Sequence, residues 1–205
     1  MFREKQGRML PTSCSLCGQC LDAGPGLCPG CLADLPRPDA ACDTCALPLA
    51  RPGLCGGCLQ DPPPVAGVVA PLVYGFPVDR LIGALKFRAG LELARPLGAL
   101  VCEPARARPR PDLLVPVPLH PARLRERGYN QASVLAREIG SLLDLPVSDD
   151  VVTRSVLNTP QAGLDAVTRR RNVRGGFRVS YALSGVRIAL VDDVLTTGAT
   201  IWELA

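Results

Sequence analysis

The chain has 205 residues, enough for one ordinary α/β domain and a small satellite module. Hydrophobic residues make up 47% and charged residues 20%, which excludes a disordered chain. The net charge of +4 permits contact with phosphates but is too mild to demand nucleic acid. The start, Met1 to Arg8, lacks the apolar stretch of a signal peptide. No run of about 18 apolar residues is available to span a bilayer. The longest candidate, Val65 to Val78, is broken by Gly67, Pro71, Gly75 and Pro77. The expectation is a cytoplasmic protein without membrane insertion, where thiols stay reduced and paired cysteines bind metal.

The first predicted unit, residues 11–60, is rich in Cys, Pro and Gly. Nine of the ten cysteines fall between Cys14 and Cys58. Eight of these form four CxxC units: Cys14 and Cys17, Cys28 and Cys31, Cys42 and Cys45, Cys55 and Cys58. Each unit turns two thiolates to one side, the bite that tetrahedral Zn²⁺ needs. Eight thiolates suffice for two Cys₄ sites, and the paired spacing is that of zinc ribbons, not of iron–sulfur or redox centres. The simplest pairing joins the first unit to the second and the third to the fourth; an interleaved pairing stays open. Such sites are closed and structural, and zinc is worth on the order of 10–16 kcal/mol in small peptides. Cys20 is a spare thiol able to replace a neighbour, and isolated Cys102 reads as a buried small hydrophobe.

Asp61-Pro62-Pro63-Pro64 reads as a stiff linker into a second unit, residues 65–205, where strand-like and helix-like segments alternate. Val68 to Tyr74 suggests one or two short strands. Val78, Leu81, Ile82 and Leu85 follow at helical spacing, and Leu93, Leu97, Leu100 and Val101 mark a second helix. Arg106, Arg108 and Arg110 read as a solvated linker. Leu113-Leu114-Val115 is a buried strand stopped by Pro116 and Pro118. His120 is read as a satisfied loop histidine rather than a proton carrier. Leu135, Ile139, Leu142 and Leu143 predict a helix starting near Asn130. Leu157 to Gly176 has little periodicity and reads as a long surface loop. Val186 to Val191 is a buried strand, and Gly198 opens a last helix.

That last strand and helix carry the candidate site. Asp192 and Asp193 directly follow Val191, at the carboxyl end of a strand, where open α/β sheets place ligands. Thr196, Thr197, Gly198, Ala199 and Thr200 come next. They are small and hydroxylated, and able to aim backbone N–H groups and hydroxyls at one phosphate near a helix N-terminus. Gly198 permits close backbone approach. The two carboxylates lie where a ribose presents its hydroxyls, and can also hold hydrated Mg²⁺. The bland alternative is an ordinary strand followed by a Ser/Thr-capped helix.

This pattern resembles the phosphoribosyl pyrophosphate (PRPP) signature of type I phosphoribosyltransferases. Further segments are similar to the ComF family of competence-associated phosphoribosyltransferase homologues: Asp112 to Leu119, then Arg127-Gly128-Tyr129-Asn130-Gln131, then Gln161 with Arg170, Arg171 and Asn172. That family also carries a cysteine-rich N-terminus, and the likeness runs from about Cys14 to Ala205. The resemblance implies a type I phosphoribosyltransferase-like parallel sheet behind a double zinc ribbon. It implies that Asp192 and Asp193 meet the ribose, that Thr196 to Thr200 bind the 5′-phosphate, and that the turn after Val115 lies near the pyrophosphate. Relatives extend the site helix and add a strand, so it implies a truncated C-terminus and lowered stability.

Expulsion of pyrophosphate calls for cations around the leaving group and a cover against water. Arg127, expected in the loop after the Val115 strand, is the catalytic cation expected beside the two acids. Arg170 and Arg171, among Arg169, Arg170, Arg171 and Arg174, are phosphate-binding candidates through bidentate forks. Tyr129 is placed to stack on a base. The alternative for these arginines is a solvated surface. Two functions follow. One is a Mg²⁺- and PRPP-dependent phosphoribosyltransferase of unidentified acceptor, with a role in natural transformation. The other is a non-catalytic accessory factor whose arginines engage single-stranded DNA or a competence helicase.

Overall fold

The computed structural model describes residues 12–21, 26–155, 175–180 and 183–205. The N-terminal part is a repeat. A minimal hairpin, β1 (Thr12–Ser13) with β2 (Cys20–Leu21), precedes the short helix α1 (Pro29–Ala33). The same order recurs as β3 (Ala40–Ala41), β4 (Pro48–Leu49) and α2 (Gly56–Gln60). Strands of two residues have almost no ladder to hold them, so the cysteines between them must do so.

The α/β body begins with α3 (Val78–Phe87), and a single 3₁₀ turn (Leu91–Leu93) leads into α4 (Ala94–Ala105). Then come β5 (Leu113–Pro116), α5 (Pro121–Arg127) and α6 (Gln131–Leu143). An antiparallel pair follows, β6 (Val152–Arg154) with β7 (Phe177–Val179), then β8 (Ile188–Val191) and α7 (Ala199–Leu204). β5 and β8 pair in parallel, Leu113 opposite Ile188 and Pro116 opposite Val191, and a bridge from Leu114 to Val147 extends the sheet.

The period-two alternation of β5 explains its continuous apolar run. Leu114 points into a cluster with Cys102 and Ile139 from α4 and α6. Val115 points the other way, to Val151, Val152 and Phe177. β8 divides likewise, Ala189 and Val191 on the first face, Ile188 and Leu190 on the second. A strand with both faces covered needs apolar residues at every position.

Four expectations change. Val68 to Tyr74 forms no strand; Pro71 removes a donor at its middle, and Val73 N–H goes to Pro36 O at 2.9 Å instead of to a ladder. Pro116 does not stop β5 but closes it, because the next donor, Val117 N–H, reaches Val191 O at 2.9 Å. The last strand is half-buried rather than buried. Arg106 and Arg110 are not simply solvated: they donate to Leu142 O and Asp144 O at 3.3 and 2.6 Å, bracing α4 and the segment after it against the end of α6. The segment 156–174, including Arg169, Arg170, Arg171 and Arg174, lies outside the described residues.

The first cysteine ribbon is built into the body. Cys14, Leu27, Cys28 and Leu35 share one buried cluster with Val78, Leu81, Ile82 and Leu85 of α3, and with Leu93, Leu97 and Leu135. The second forms its own small cluster of Cys42, Cys55 and Cys58, with Cys45 and Leu49 against it.

Candidate metal centres and acid-pair site

The sulfur atoms fall into two sets, Cys14, Cys17, Cys28 and Cys31, then Cys42, Cys45, Cys55 and Cys58; within each, all lie within 4.8 Å of one another. This is the simple pairing, and the interleaved one is excluded. Zn–S bonds of 2.3 Å in a tetrahedron put sulfurs about 3.8 Å apart. Cys17 and Cys28 lie at 3.7 Å, as do Cys45 and Cys55. These are edges of a coordination tetrahedron, not thiol hydrogen bonds. Backbone amides support the sulfurs: Cys31 N–H donates to Cys28 Sγ at 3.4 Å, Cys58 N–H to Cys55 Sγ at 3.4 Å, and Cys55 N–H to Cys42 Sγ at 3.3 Å. Burial pushes the Cys14 thiol up, but amides of Cys17, Cys28 and Leu16 outweigh it and bring it down to about 6. Amides of Cys45 and Cys55 take Cys42 to about 6 as well. Two Cys₄ sites of this form fit structural zinc. Cys20 is exposed and outside both sets, while Cys102 is buried in the core as expected.

The acid pair stands at the carboxyl end of β8. The Asp193 side chain is 4% exposed, and its Oδ2 lies 2.8 Å from Lys86 Nζ of α3. That approach is not aligned as a hydrogen bond, so the oxygen is buried with only a cation beside it. Asp192 Oδ1 accepts from Asp193 N–H at 2.9 Å. Burial, then the neighbouring Asp193 charge, push Asp192 up to about 7, against the pull of Lys86. A second cation, Arg154 of β6, is lowered by burial and partly restored by the Asp192 charge. Its guanidinium lies 5.3 Å from the Phe177 ring centroid, and its Nε has no partner.

The threonine loop follows. Thr196 is exposed, Thr197 and Thr200 half-buried, Gly198 and Ala199 buried. Gly198 has φ +74°, and a Cβ there would lie 2.1 Å from the Trp202 indole. The close approach expected for a ligand is occupied on this side by Trp202 of α7.

Arg127 is not in a loop. It ends α5, whose Pro121 start is capped by His120: the imidazole Nδ1 accepts from Ala122 N–H at 3.1 Å, the satisfied role expected of it. Gly128, at φ +83°, ends that helix. Arg127 donates to Gln131 Oε1 and stands 5.0 Å over the Phe87 ring. Tyr129 donates its hydroxyl to Leu85 O at 2.5 Å, which fixes its ring. Asn130 caps α6 through Ala132 N–H and holds Val117 O at 3.0 Å.

Sequence reading missed Lys86 and Arg154. Both left a signal: Lys86 is one of only two lysines in an arginine-rich chain, and Arg154 directly follows the β-branched run Val151-Val152-Thr153.

These features define the class: an α/β protein with two Cys₄ ribbons at its N-terminus. The profile of the double zinc ribbon domain matches residues 7–59. The DNA utilization protein YhgH of Salmonella typhi is 35% identical over 94% of this chain and 82% of its own. Competence protein F of Haemophilus influenzae is 35% identical over 63% of this chain and 60% of its own. Competence protein ComFC of Bacillus subtilis is 36% identical over 43% and 35%. The chain belongs to the ComF family. No solved structure matches it.

Proposed function

We propose that residues 65–205 form a type I phosphoribosyltransferase-like domain, carried on a double zinc ribbon at residues 11–60, that binds PRPP or a related ribose 5-phosphate. The observation that carries this reading is the buried Asp193 carboxylate beside Asp192, at the end of a parallel strand. Two adjacent buried acids repel, and the fold keeps them although one oxygen has no aligned donor. Such groups are made to receive ribose hydroxyls or a hydrated cation. Mg²⁺, held by Asp192 and Asp193, would neutralise phosphate charge there. Thr196, Thr197, Gly198, Ala199 and Thr200 hold the 5′-phosphate through hydroxyls and amides. Arg127 supplies a cation toward the pyrophosphate side; Arg170 and Arg171 are assigned the same task. The names of the relatives bring the setting, DNA utilization and competence; a cytoplasmic location belongs to the same proposal.

Isothermal calorimetry with PRPP and Mg²⁺ tests the reading. Heat is expected with the full chain, and at least a tenfold loss of affinity in Asp192→Asn/Asp193→Asn. Absence of heat with both PRPP and ribose 5-phosphate refutes it. The second reading, an accessory factor for single-stranded DNA or a helicase, is favoured by Arg88, Arg123 and Arg127 lining one pocket. It predicts oligonucleotide binding that survives the double acid change.

A further inference from the structure

Beside the acid pair, the end of α3 and the outer side of α5 enclose an open pocket of about 280 Å³. Lys86 belongs to both places: it lines the pocket and its Nζ reaches Asp193 at 2.8 Å. Arg88, Arg123 and Arg127 line it too. Among the described residues its one acid is Glu126, which already faces Arg123 at 3.3 Å. The walls therefore hold unneutralised positive charge, at low cost to the fold because Arg88 is exposed.

The pocket also has flat apolar surface. Phe87 is 73% exposed, an unusual position for a large ring at a helix end. Arg127 stands over that ring at 5.0 Å, so ring and guanidinium form a stacked platform. Tyr129, tied to Leu85 O, gives a second aromatic wall of fixed orientation. Pockets for drug-sized ligands start at roughly 300 Å³, so this one suits a single small ring with one substituent. A polynucleotide would need a groove that tracks its backbone.

We propose that this pocket receives the acceptor of the phosphoribosyl group, and that the acceptor is a planar nitrogen heterocycle bearing a carboxylate. The inference rests on the sugar-phosphate reading of the acid pair, which Lys86 joins to this pocket. The carboxylate meets the cations and the ring lies against Phe87 and Tyr129. A ring-nitrogen lone pair forms the bond to the anomeric carbon. The bond from that carbon to pyrophosphate breaks, and its electrons leave on the pyrophosphate. A pyridine-type nitrogen, or one already deprotonated, gives up no proton. This agrees with a pocket where, among the described residues, the one carboxylate is paired and no imidazole lines the wall.

Two matched probe pairs test it on the full chain by calorimetry: nicotinate against nicotinamide, and orotate against uracil. At least one acid is expected to bind tenfold or more tightly than its neutral counterpart. Arg88→Ala should weaken that acid about tenfold while leaving PRPP binding within twofold, and Phe87→Leu should weaken the acid about threefold. Equal binding within both pairs, or none, overturns the proposal. Oligo-dT binding that displaces the acid, or survives when neither acid binds, also overturns it and gives the pocket to nucleic acid. An acid that binds while PRPP and ribose 5-phosphate do not would refute the sugar-phosphate reading, and with it the acceptor role, leaving only an anion pocket. PRPP binding without acid binding would refute the pocket assignment alone.

Discussion

The two ribbons are the same device used in two ways. Aligned on their cysteines, Leu27 precedes Cys28 as Leu54 precedes Cys55, and Leu32 follows Cys31 as Leu59 follows Cys58. In the first ribbon, Leu27 is 2% exposed and Leu32 packs against the α3 cluster. In the second, Leu54 is 45% exposed and Leu59 67%. The second ribbon meets the body across an open cleft of about 150 Å³, lined by Cys42, Asp43, Val68 and Arg108 among others. Identical local chemistry thus yields a structural wedge in one case and a projecting knob in the other. The first ribbon braces α3, and α3 carries Lys86 to the acid pair.

The largest expected difference is in metal loss. Cys28→Ser removes a ligand from the first centre and a side chain from the shared core. It should lower the zinc content from two ions per chain to one and abolish cooperative unfolding of the body. Cys55→Ser should lose the same one ion yet leave body unfolding cooperative, within about 1 kcal/mol of the parent, since its cluster contains no body residue. Zinc analysis beside urea denaturation followed by tryptophan fluorescence checks both. Equal damage from the two changes would show that the ribbons are equivalent after all.

Next come the matched leucines. Leu27→Ala should cost about 2–5 kcal/mol, the range for a fully buried leucine. Leu54→Ala should stay within about 0.5 kcal/mol, as exposed sites do. Denaturation midpoints at constant m-value decide it.

A smaller effect reaches the acid pair through α3. Asp192 is raised above its unfolded value, so the folded protein binds more protons than the unfolded one between about pH 4 and pH 7. Stability contributed by this group is therefore full in acid, falls as pH rises through that window, and is flat above it. Asp192→Asn should remove this slope, while Cys55→Ser should retain it because the buried cluster of the second ribbon contains no residue of α3. On the proposed function Mg²⁺ would need the ionised pair, so its affinity should rise across the same window. A stability that instead rises with pH in the parent, relative to Asp192→Asn, contradicts the assignment.

How much of this was legible beforehand follows from the range of each interaction. Zinc ligands within CxxC units are local, and their spacing named them. Their pairing needed the fold, although the repeat from Thr12 to Asp34 in Ala40 to Asp61 was there to be aligned. The acids and threonines were legible as a strand end running into a helix. Lys86 was not, because its partner lies over a hundred positions away in the chain and a lone helical lysine ordinarily faces water. Arg127 was expected in a loop because the short helix α5 was not foreseen: Pro121 at its start and Gly128 at its end were the signals, but its seven residues carry little apolar periodicity. Trp202 over Gly198 was hidden for a related reason, since a glycine suggests close approach without saying of what.

The smallest effect compares the two knuckles directly. Gly18 follows Cys17 at φ +74°, and its N–H bonds Cys14 O at 2.9 Å. Ala46 follows Cys45 at φ +59° and bonds Cys42 O at 2.9 Å. The turn is the same, so the second ribbon holds a Cβ in the left-handed region, at about 1–2 kcal/mol. Ala46→Gly relieves that strain but loosens the unfolded chain by roughly 0.5–1 kcal/mol. A net gain of about 0.5–1 kcal/mol should appear as roughly two- to fivefold tighter zinc at the second centre, measured by chelator competition. Gly18→Ala should weaken the first centre, with nothing within 4 Å of the added methyl to blame but the backbone. If both changes leave zinc affinity untouched, the knuckle conformation is imposed by the metal and not by the residue after the second cysteine.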